Sequence, residues 1–399
     1  MKPLSDVVML DLTHMLSGPY GAMLLTDLGA RTIKVEPPLH GEATRKLLSN
    51  SEDYSRQGMG AYFLTLNRGK ESICVDLKSE QGLGVFYDLV RHADVVFDNF
   101  SAGVTQRLKI DHATLSAINP RIITCSVTGF GETGPELDRP AFDQVVQGMG
   151  GGMSITGLED GPPIRSGVPI GDLGGGTFGA LGILSALYAR EHSGQGRHID
   201  VSMLDVQVSL LNYMATMYLM SDIVPERLGN GHFVHVPYNA YKTNDGYVII
   251  ACIGDSFFEK FLQVMSLPAL QKEEYKKQPA RYAARSIIDK VIQNELLTNS
   301  TEFWLAKLES ARIPCARVNN FKQALSDPQI LARDMVVSVT LQSGEIIQMP
   351  GNPIKSPDSP PTVFSAPPLL GEHTQAILGE FLHYSSETIR DLQEKGAVQ

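Results

Sequence analysis

Cysteine is scarce in this sequence: Cys74, Cys125, Cys252 and Cys315 stand far apart, and none belongs to a C-x-x-C pair. Redox and metal-ribbon motifs are thereby excluded, and a reduced, cytoplasmic setting becomes the default. Positive charge is not in excess either, since 34 Lys and Arg face 44 Asp and Glu for a net charge of −10. Nucleic acid and anionic membrane are therefore not expected as partners. No G-x-S-x-G elbow, Walker loop or H-E-x-x-H is found, which removes serine-hydrolase, P-loop and zincin chemistry. His232 and His235 in GNGHFVHVP lack a nearby acid or Cys, so no metal site is expected there. No charged-then-apolar leader opens the chain. The longest apolar segment, Val201 to Met220, carries Asp205, Gln207 and Asn212, so a buried helix is expected rather than a membrane span.

What is present is an ordinary globular composition, 43% hydrophobic and 20% charged, in a chain of 399 residues. That length exceeds the usual single core and predicts division into domains. Val7 to Leu12 reads as a buried strand, followed by the turn-like HMLSGP, a helical pattern from Tyr20 to Leu28 closing at Gly29, and the strand Arg31 to Glu36. This is a βαβ unit with a parallel pair. It lacks G-x-G-x-x-G, so a dinucleotide pocket is not supported. Further strands are expected at Ser72–Asp76, Asp94–Phe97 and Ile122–Val127, with a helix over Glu80–Ala93. The alternation predicts an α/β fold, a doubly wound Rossmann-like large domain over residues 1–222. From there the texture changes. YNAYKT and YVIIACI flank the turn Asn244–Asp245–Gly246, and helical patterns follow, so 223–325 is read as a smaller α+β domain. The proline-rich tail, 326–399, is expected to be an extended strap returning to the large domain.

The stretch Val168 to Gly179, VPIGDLGGGTFG, sets one acid, Asp172, between an extended approach and four glycines. Phe178, Leu181, Leu184, Leu187 and Tyr188 then recur at helical spacing and predict a buried helix. Asp172 reads in two ways. As an N-cap it would accept backbone N–H groups. As a nucleophile it would be kept ionised by the helix dipole and free N–H groups, while the missing side chains let a large substrate approach the backbone. A carboxylate attacking an acyl carbonyl is a recognised covalent strategy. His14 stands at the end of the first strand, where α/β folds place ligands. Lys34, Arg45, Lys70, Arg107 and Arg139 recur near strand ends, a pattern that fits a polyphosphate site. The loops Asn67–Lys70 and Asp98–Phe100, with Asn99 and Phe100, are candidate nucleotide contacts.

LDLTHMLSGPYGAMLLTDLGARTIKVEPPLHGEATR, LNRGKESICVDLK, DVVFDNFSAGV, GFGETGPELDRPAFDQVVQGMGG, GDLGGGTFG and the late PPLLGEHT resemble the family III CoA-transferases in order and spacing. The resemblance implies that Asp172 is the nucleophile and that coenzyme A enters as a co-substrate with no tightly bound cofactor. It also implies a large Rossmann-like domain with a small one, in a homodimer whose chains interlock as rings. Racemases in the family carry a histidine thirty residues before the aspartate, where this sequence has Phe142. Formyl-CoA transferases carry Gln where Leu16 stands, and a longer glycine-rich loop where this chain has Cys252–Asp255, including Gly254. VPYNAYKTNDGY and MPGNPIK look closer to relatives that use oxalate with acetyl-CoA or glutarate with succinyl-CoA. The expected acceptor is therefore a small dicarboxylic acid. Arg227, His232, His235 and Tyr238 of the small domain are the candidates to hold its second carboxylate.

Overall fold

The computed structural model describes residues 2–356 and 363–399 and resolves them into two compact units. The larger comprises residues 1–152, 165–222 and 331–399; the smaller comprises 153–164 and 223–330. The segment 153–164, placed by sequence in the large domain, thus clusters with the small one.

In the larger unit the strands are β1 (Val8–Asp11), β2 (Arg31–Glu36), β3 (Glu71–Cys74), β4 (Val95–Asp98), β5 (Ile123–Thr128) and β6 (His198–Ser202). They form one sheet in the order β3-β2-β1-β4-β5-β6, every neighbouring pair parallel. β4 and β5 are buried along their whole length, as helices on both faces of a parallel sheet require. The helices used below are α1 (Ser17–Asp27), α2 (Ala61–Leu66), α3 (Glu80–His92), α4 (Asp143–Met149), α5 (Ile170–Ser193), α6 (Met203–Leu211) and α7 (Tyr213–Ser221). The strand order reverses between β1 and β4, and the crevice beyond their carboxyl ends is where such sheets bind ligands.

β3 is an edge strand, but its edge is not bare. The His373 N–H donates to the Ser72 carbonyl at 2.9 Å, the Asp76 N–H donates to the Ala397 carbonyl at 2.9 Å, and Val75 bridges Val398. Residues 331–399 therefore close the large unit instead of merely crossing it. Within them Val336–Thr340 and Ile346–Pro350 pair as a hairpin. Residues 357–362 of the proline-rich stretch lie outside the described residues.

Two apolar segments behave differently from expectation. α5 turns its small residues inward: Gly175, Gly176, Gly179, Ala180 and Ile183 are buried, whereas Leu181 and Tyr188 are 59% and 72% exposed. Its length and composition would suit a membrane span, but this buried face packs on α1, β4 and β5. The run 201–220 is not one buried helix. It breaks at Asn212, whose φ is +49°, and α7 buries no residue, leaving Leu219 and Met220 79% and 83% exposed.

The smaller unit carries an antiparallel sheet of β7 (Tyr238–Lys242), β8 (Tyr247–Ala251) and β9 (Cys315–Arg317), in the order β9-β8-β7. The Asn244–Gly246 turn joins the first pair. α8 (Asp255–Met265), α9 (Arg285–Leu296) and α10 (Thr301–Ser310) cover it, burying Phe258, Phe261, Ile288, Ile292 and Trp304.

Candidate active site

Asp172 is the third residue of α5, not its cap. The helix starts at Ile170 after Pro169, which offers no side-chain cap. The cap comes from elsewhere: Asp143 Oδ1, at the start of α4, accepts the N–H of Gly171 at 2.8 Å and of Asp172 at 3.4 Å. Asp143 Oδ2 accepts from Gln147 Nε2 at 2.7 Å, and Gln147 Oε1 accepts from the Ser166 N–H at 2.9 Å. The expectation that free N–H groups hold Asp172 ionised is thus overturned. Burial, and then the neighbouring Asp143, push its carboxyl up to about 6. Among the described residues no donor is bonded to the Asp172 carboxylate, and it remains half-buried. Tyr62 on α2 is within electrostatic reach of it. Burial, then Asp172, Glu42 and Asp143, push the Tyr62 hydroxyl up to about 12, so it stays a hydrogen-bond donor.

The glycines do not open the backbone to a substrate. A Cβ on Gly176 would lie 2.1 Å from the Ser17 carbonyl oxygen, and one on Gly21 would lie 2.4 Å from the Gly176 carbonyl oxygen. They let α1 and α5 touch backbone to backbone. Gly174 to Gly179 also carry a G-x-G-x-x-G spacing, but inside a helix it makes no phosphate turn.

At the switch point Asn99 clamps the turn after β1. Its Oδ1 accepts the His14 N–H at 2.8 Å, and its Nδ2 donates to the His14 carbonyl at 2.7 Å. Met15 follows with φ +64°, and Glu42 Oε2 accepts its N–H at 3.1 Å. Leu16 precedes α1 with no side-chain cap. Beside this turn a cavity of about 350 Å³ opens, walled by His14, Glu36, Glu42, Leu77, Lys78 and Phe100 among others. The His14 and Phe100 rings lie 5.5 Å apart.

Three of the basic residues expected at phosphates are internal. Lys34 is fully buried and donates to the Thr13 carbonyl at 2.7 Å, with Asp11 at 3.7 Å. Lys70 pairs with Asp11 at 2.7 Å and bonds Asn67 Oδ1 at 3.0 Å. Burial would raise the Asp11 carboxyl, but Lys34 and Lys70 outweigh it and hold it at about 2. Arg45 grips Glu36 through Nε at 2.7 Å and Nη2 at 2.6 Å. Arg68 is buried against Asp27. These ions fix the strand ends from below and do not face a ligand. Arg107 is exposed, has no ion pair among the described residues and lies next to Leu108 of the cavity wall; Arg139 is exposed and pairs with Glu136 at 3.1 Å. Phe142 precedes α4 and is 69% exposed. Sequence reasoning missed Lys78, Tyr62 and Asp143. Only the last left a signal, an Asp143–Gln147 pair at helical spacing beside Phe142.

In the small unit His232 packs against Phe233, His235 and Tyr238, with ring centroids 4.4, 4.7 and 5.0 Å away. Its Nδ1 accepts the N–H groups of Val234 and His235, so the neutral ring carries its proton on Nε2. Burial, then His235, lower its pKa. Arg227 donates to the Leu158 and Ser154 carbonyls, both at 3.3 Å, which ties 153–164 to this unit. Gly254, at φ +85°, leads into α8. Among the described residues no group of three or more His, Cys, Asp or Glu side chains could hold a metal ion.

The chain is 39% identical over 382 residues to an acetyl-CoA:oxalate CoA-transferase of Acetobacter aceti, covering 95% of this chain and 96% of that protein. It is 36% identical over 385 residues to a succinate–glutarate CoA-transferase of Agrobacterium fabrum, covering 95% of each. Among solved structures, a CaiB/BaiF family protein from Brucella suis superposes with a TM-score of 0.85 at 35% identity, covering 95% of this chain and 99% of that one. Residues 4–374 match CoA-transferase family III, and the chain belongs to that family of CoA-transferring enzymes.

Proposed function

We propose that this enzyme moves CoA from an acyl-CoA donor to a small dicarboxylic acid such as oxalate, succinate or glutarate, through an aspartyl-CoA thioester at Asp172. The observation that carries this reading is the Asp172 carboxylate itself: half-buried, bonded to no donor among the described residues, and pushed above the ordinary carboxylate range by burial and Asp143. A carboxylate of raised basicity is a better nucleophile than an ordinary one. It attacks the thioester carbonyl, the C–S bond breaks, and CoA thiolate leaves behind a mixed anhydride. The thiolate then attacks the aspartyl carbonyl and expels the donor's acid as carboxylate. The acceptor carboxylate attacks the resulting aspartyl thioester and again releases thiolate. Attack of that thiolate on the acceptor's acyl carbon frees the new CoA ester and restores Asp172. Each step exchanges one acyl bond for another, so the thioester energy is retained.

In this reading the CoA nucleotide occupies the cavity at the switch point, with His14 and Phe100 on its wall and Lys78 and Arg107 near its phosphates. Asn99 acts by holding the His14 turn. The dicarboxylate preference follows the relatives, which act on oxalate and glutarate by name. In the small unit the His232 Nε2–H and the Tyr238 hydroxyl are donors that suit a second carboxylate. The exposed apolar faces of α5 and α7 support a homodimer, since monomers rarely leave such a surface open. Light scattering that found an active monomer would remove the dimer from this account. The four free thiols fit the cytoplasmic setting.

The test pairs acetyl-CoA with oxalate and succinyl-CoA with glutarate, against acetate and butyrate as acceptors. Asp172→Ala should abolish transfer, and hydroxylamine added after acyl-CoA should modify Asp172 alone. Transfer by Asp172→Ala above about a hundredth of the wild-type kcat would refute covalent catalysis. A tenfold preference for a monoacid would refute the dicarboxylate assignment alone.

A further inference from the structure

Asp143 is the feature of the site that the transfer scheme leaves without a role. It is buried, it lies 29 positions before the nucleophile, and both its oxygens are engaged. One takes the first N–H groups of α5. The other takes Gln147, one turn further along α4, and Gln147 in turn holds the Ser166 N–H in the approach to α5. Three pieces of chain thus meet on the Asp143–Gln147 pair: the start of α4, the approach at Ser166 and the first turn of α5.

The position of this carboxylate matters for what Asp172 does. At an uncapped helix start the carboxylate of a first-turn Asp can fold back onto its own N–H groups, which stabilises its charge and ties up its lone pairs. Here those N–H groups already have an acceptor. We propose that Asp143 is a positioning residue for the nucleophile: by capping α5 in place of Asp172, it leaves the Asp172 carboxylate free of the backbone and fixed in direction. The proposal rests on the reading of Asp172 as the nucleophile. Its negative charge adds a second effect. Asp143 and Tyr62 are the titratable groups coupled electrostatically to Asp172, Glu42 also acts on Tyr62, and Asp143 follows burial as the cause of the raised Asp172 carboxyl. A more basic carboxylate attacks a thioester faster once it is ionised.

The experiment is a pH profile of kcat/KM for the purified full-length enzyme, with whichever of acetyl-CoA plus oxalate or succinyl-CoA plus glutarate turns over faster. Asp143→Asn is nearly isosteric and keeps one oxygen for the Gly171 and Asp172 N–H groups, but it removes the charge. Its acid limb should move down by about 0.5–1 pH. Asp143→Ala removes the cap as well, and its kcat should fall about a hundredfold while KM for the acyl-CoA changes less than about threefold. The Asn variant should recover much of that loss. An acid limb that stays in place in Asp143→Asn would overturn the proposal. So would a loss confined to KM, or Asn and Ala variants equally impaired at pH 8. Asp172→Ala is measured alongside: if it retains activity the nucleophile assignment falls, whereas an inactive Asp172→Ala with an unmoved Asp143→Asn profile removes only the role of Asp143.

Discussion

Gly176 lies at the tightest point between α1 and α5, and replacing it with Ala tests whether that contact sets the position of Asp172. A Cβ there would meet the Ser17 carbonyl oxygen at 2.1 Å and the Gly21 nitrogen at 3.0 Å. Both are backbone atoms, so no side chain can swing aside. Relief requires the helices to part by about 1 Å to reach ordinary contact distance. Overpacking of this kind costs about 1–3 kcal/mol, against which Ala returns about 1 kcal/mol of helix propensity. Gly84 is the matched control. It lies within α3, exposed, with nothing within 4 Å of its Cβ position, so Ala there should stabilise by about 0.5–1 kcal/mol. In calorimetry Gly176→Ala should lower Tm by a few degrees and Gly84→Ala should raise it by about 1–3 °C. Activity gives the second reading. Asp172 is one helical turn before Gly176, and a displacement of about 1 Å at a reacting group costs on the order of a hundredfold in rate. Gly176→Ala should therefore lose kcat, and Gly84→Ala should keep it. A Gly176→Ala protein with wild-type Tm and kcat would refute the backbone contact as the device that places Asp172.

Two further expectations concern charge. Because the folded Asp172 carboxyl titrates at about 6 and an unfolded one near 3.8, the folded chain binds the extra proton between those values, so this group's ionisation lowers stability as pH rises through them. Asp172→Asn should accordingly raise Tm at pH 8, with the difference vanishing at pH 4 and below; an equal gain at both would show that the carboxyl is not perturbed. Lys78→Ala and Arg107→Ala should each raise KM for CoA esters about tenfold with Tm unchanged, while Lys34→Met should lower Tm because it removes one of the cations holding Asp11. Unchanged KM in both surface variants would move the phosphates elsewhere.

Much of the architecture was legible because periodicity reports burial. The strand Arg31–Glu36 has the bounds its residues predict, and the hairpin around Asn244–Gly246 forms as its turn residues dictate. The sheet order was not legible, because nothing in a single strand states its neighbour. α5 misled in two ways. The four glycines read as room for a substrate to approach the backbone, yet they lie inside the helix and let it pack closely on α1. The spacing of Phe178, Leu181, Leu184, Leu187 and Tyr188 pointed to a buried stripe, yet of its members Leu187 is buried while Leu181 and Tyr188 are exposed, and glycines, Ala180 and Ile183 supply most of the buried face. The cations show a different limit: Lys34 and Lys70 look in sequence like any surface lysine, and only the fold reveals Asp11 between them. Asp143 showed in sequence only its helical pairing with Gln147, since its hydrogen bonds to the start of α5, 28 and 29 residues on, leave no local pattern.

The closure of the β3 edge has a consequence for how the protein is made. Val75 to Lys78 belong to the cavity wall, and Val75 and Asp76 are bonded to residues 397 and 398. A nascent chain therefore carries an open sheet edge from the moment β3 leaves the ribosome until residue 398 emerges. During that interval the whole 223–330 stretch is translated, and its own core can condense first. An uncovered edge strand is a template for pairing with another chain. Residues 397 and 398 thus seal that edge late, and a chain truncated before them would leave Val75 to Lys78, part of the cavity wall, without that support.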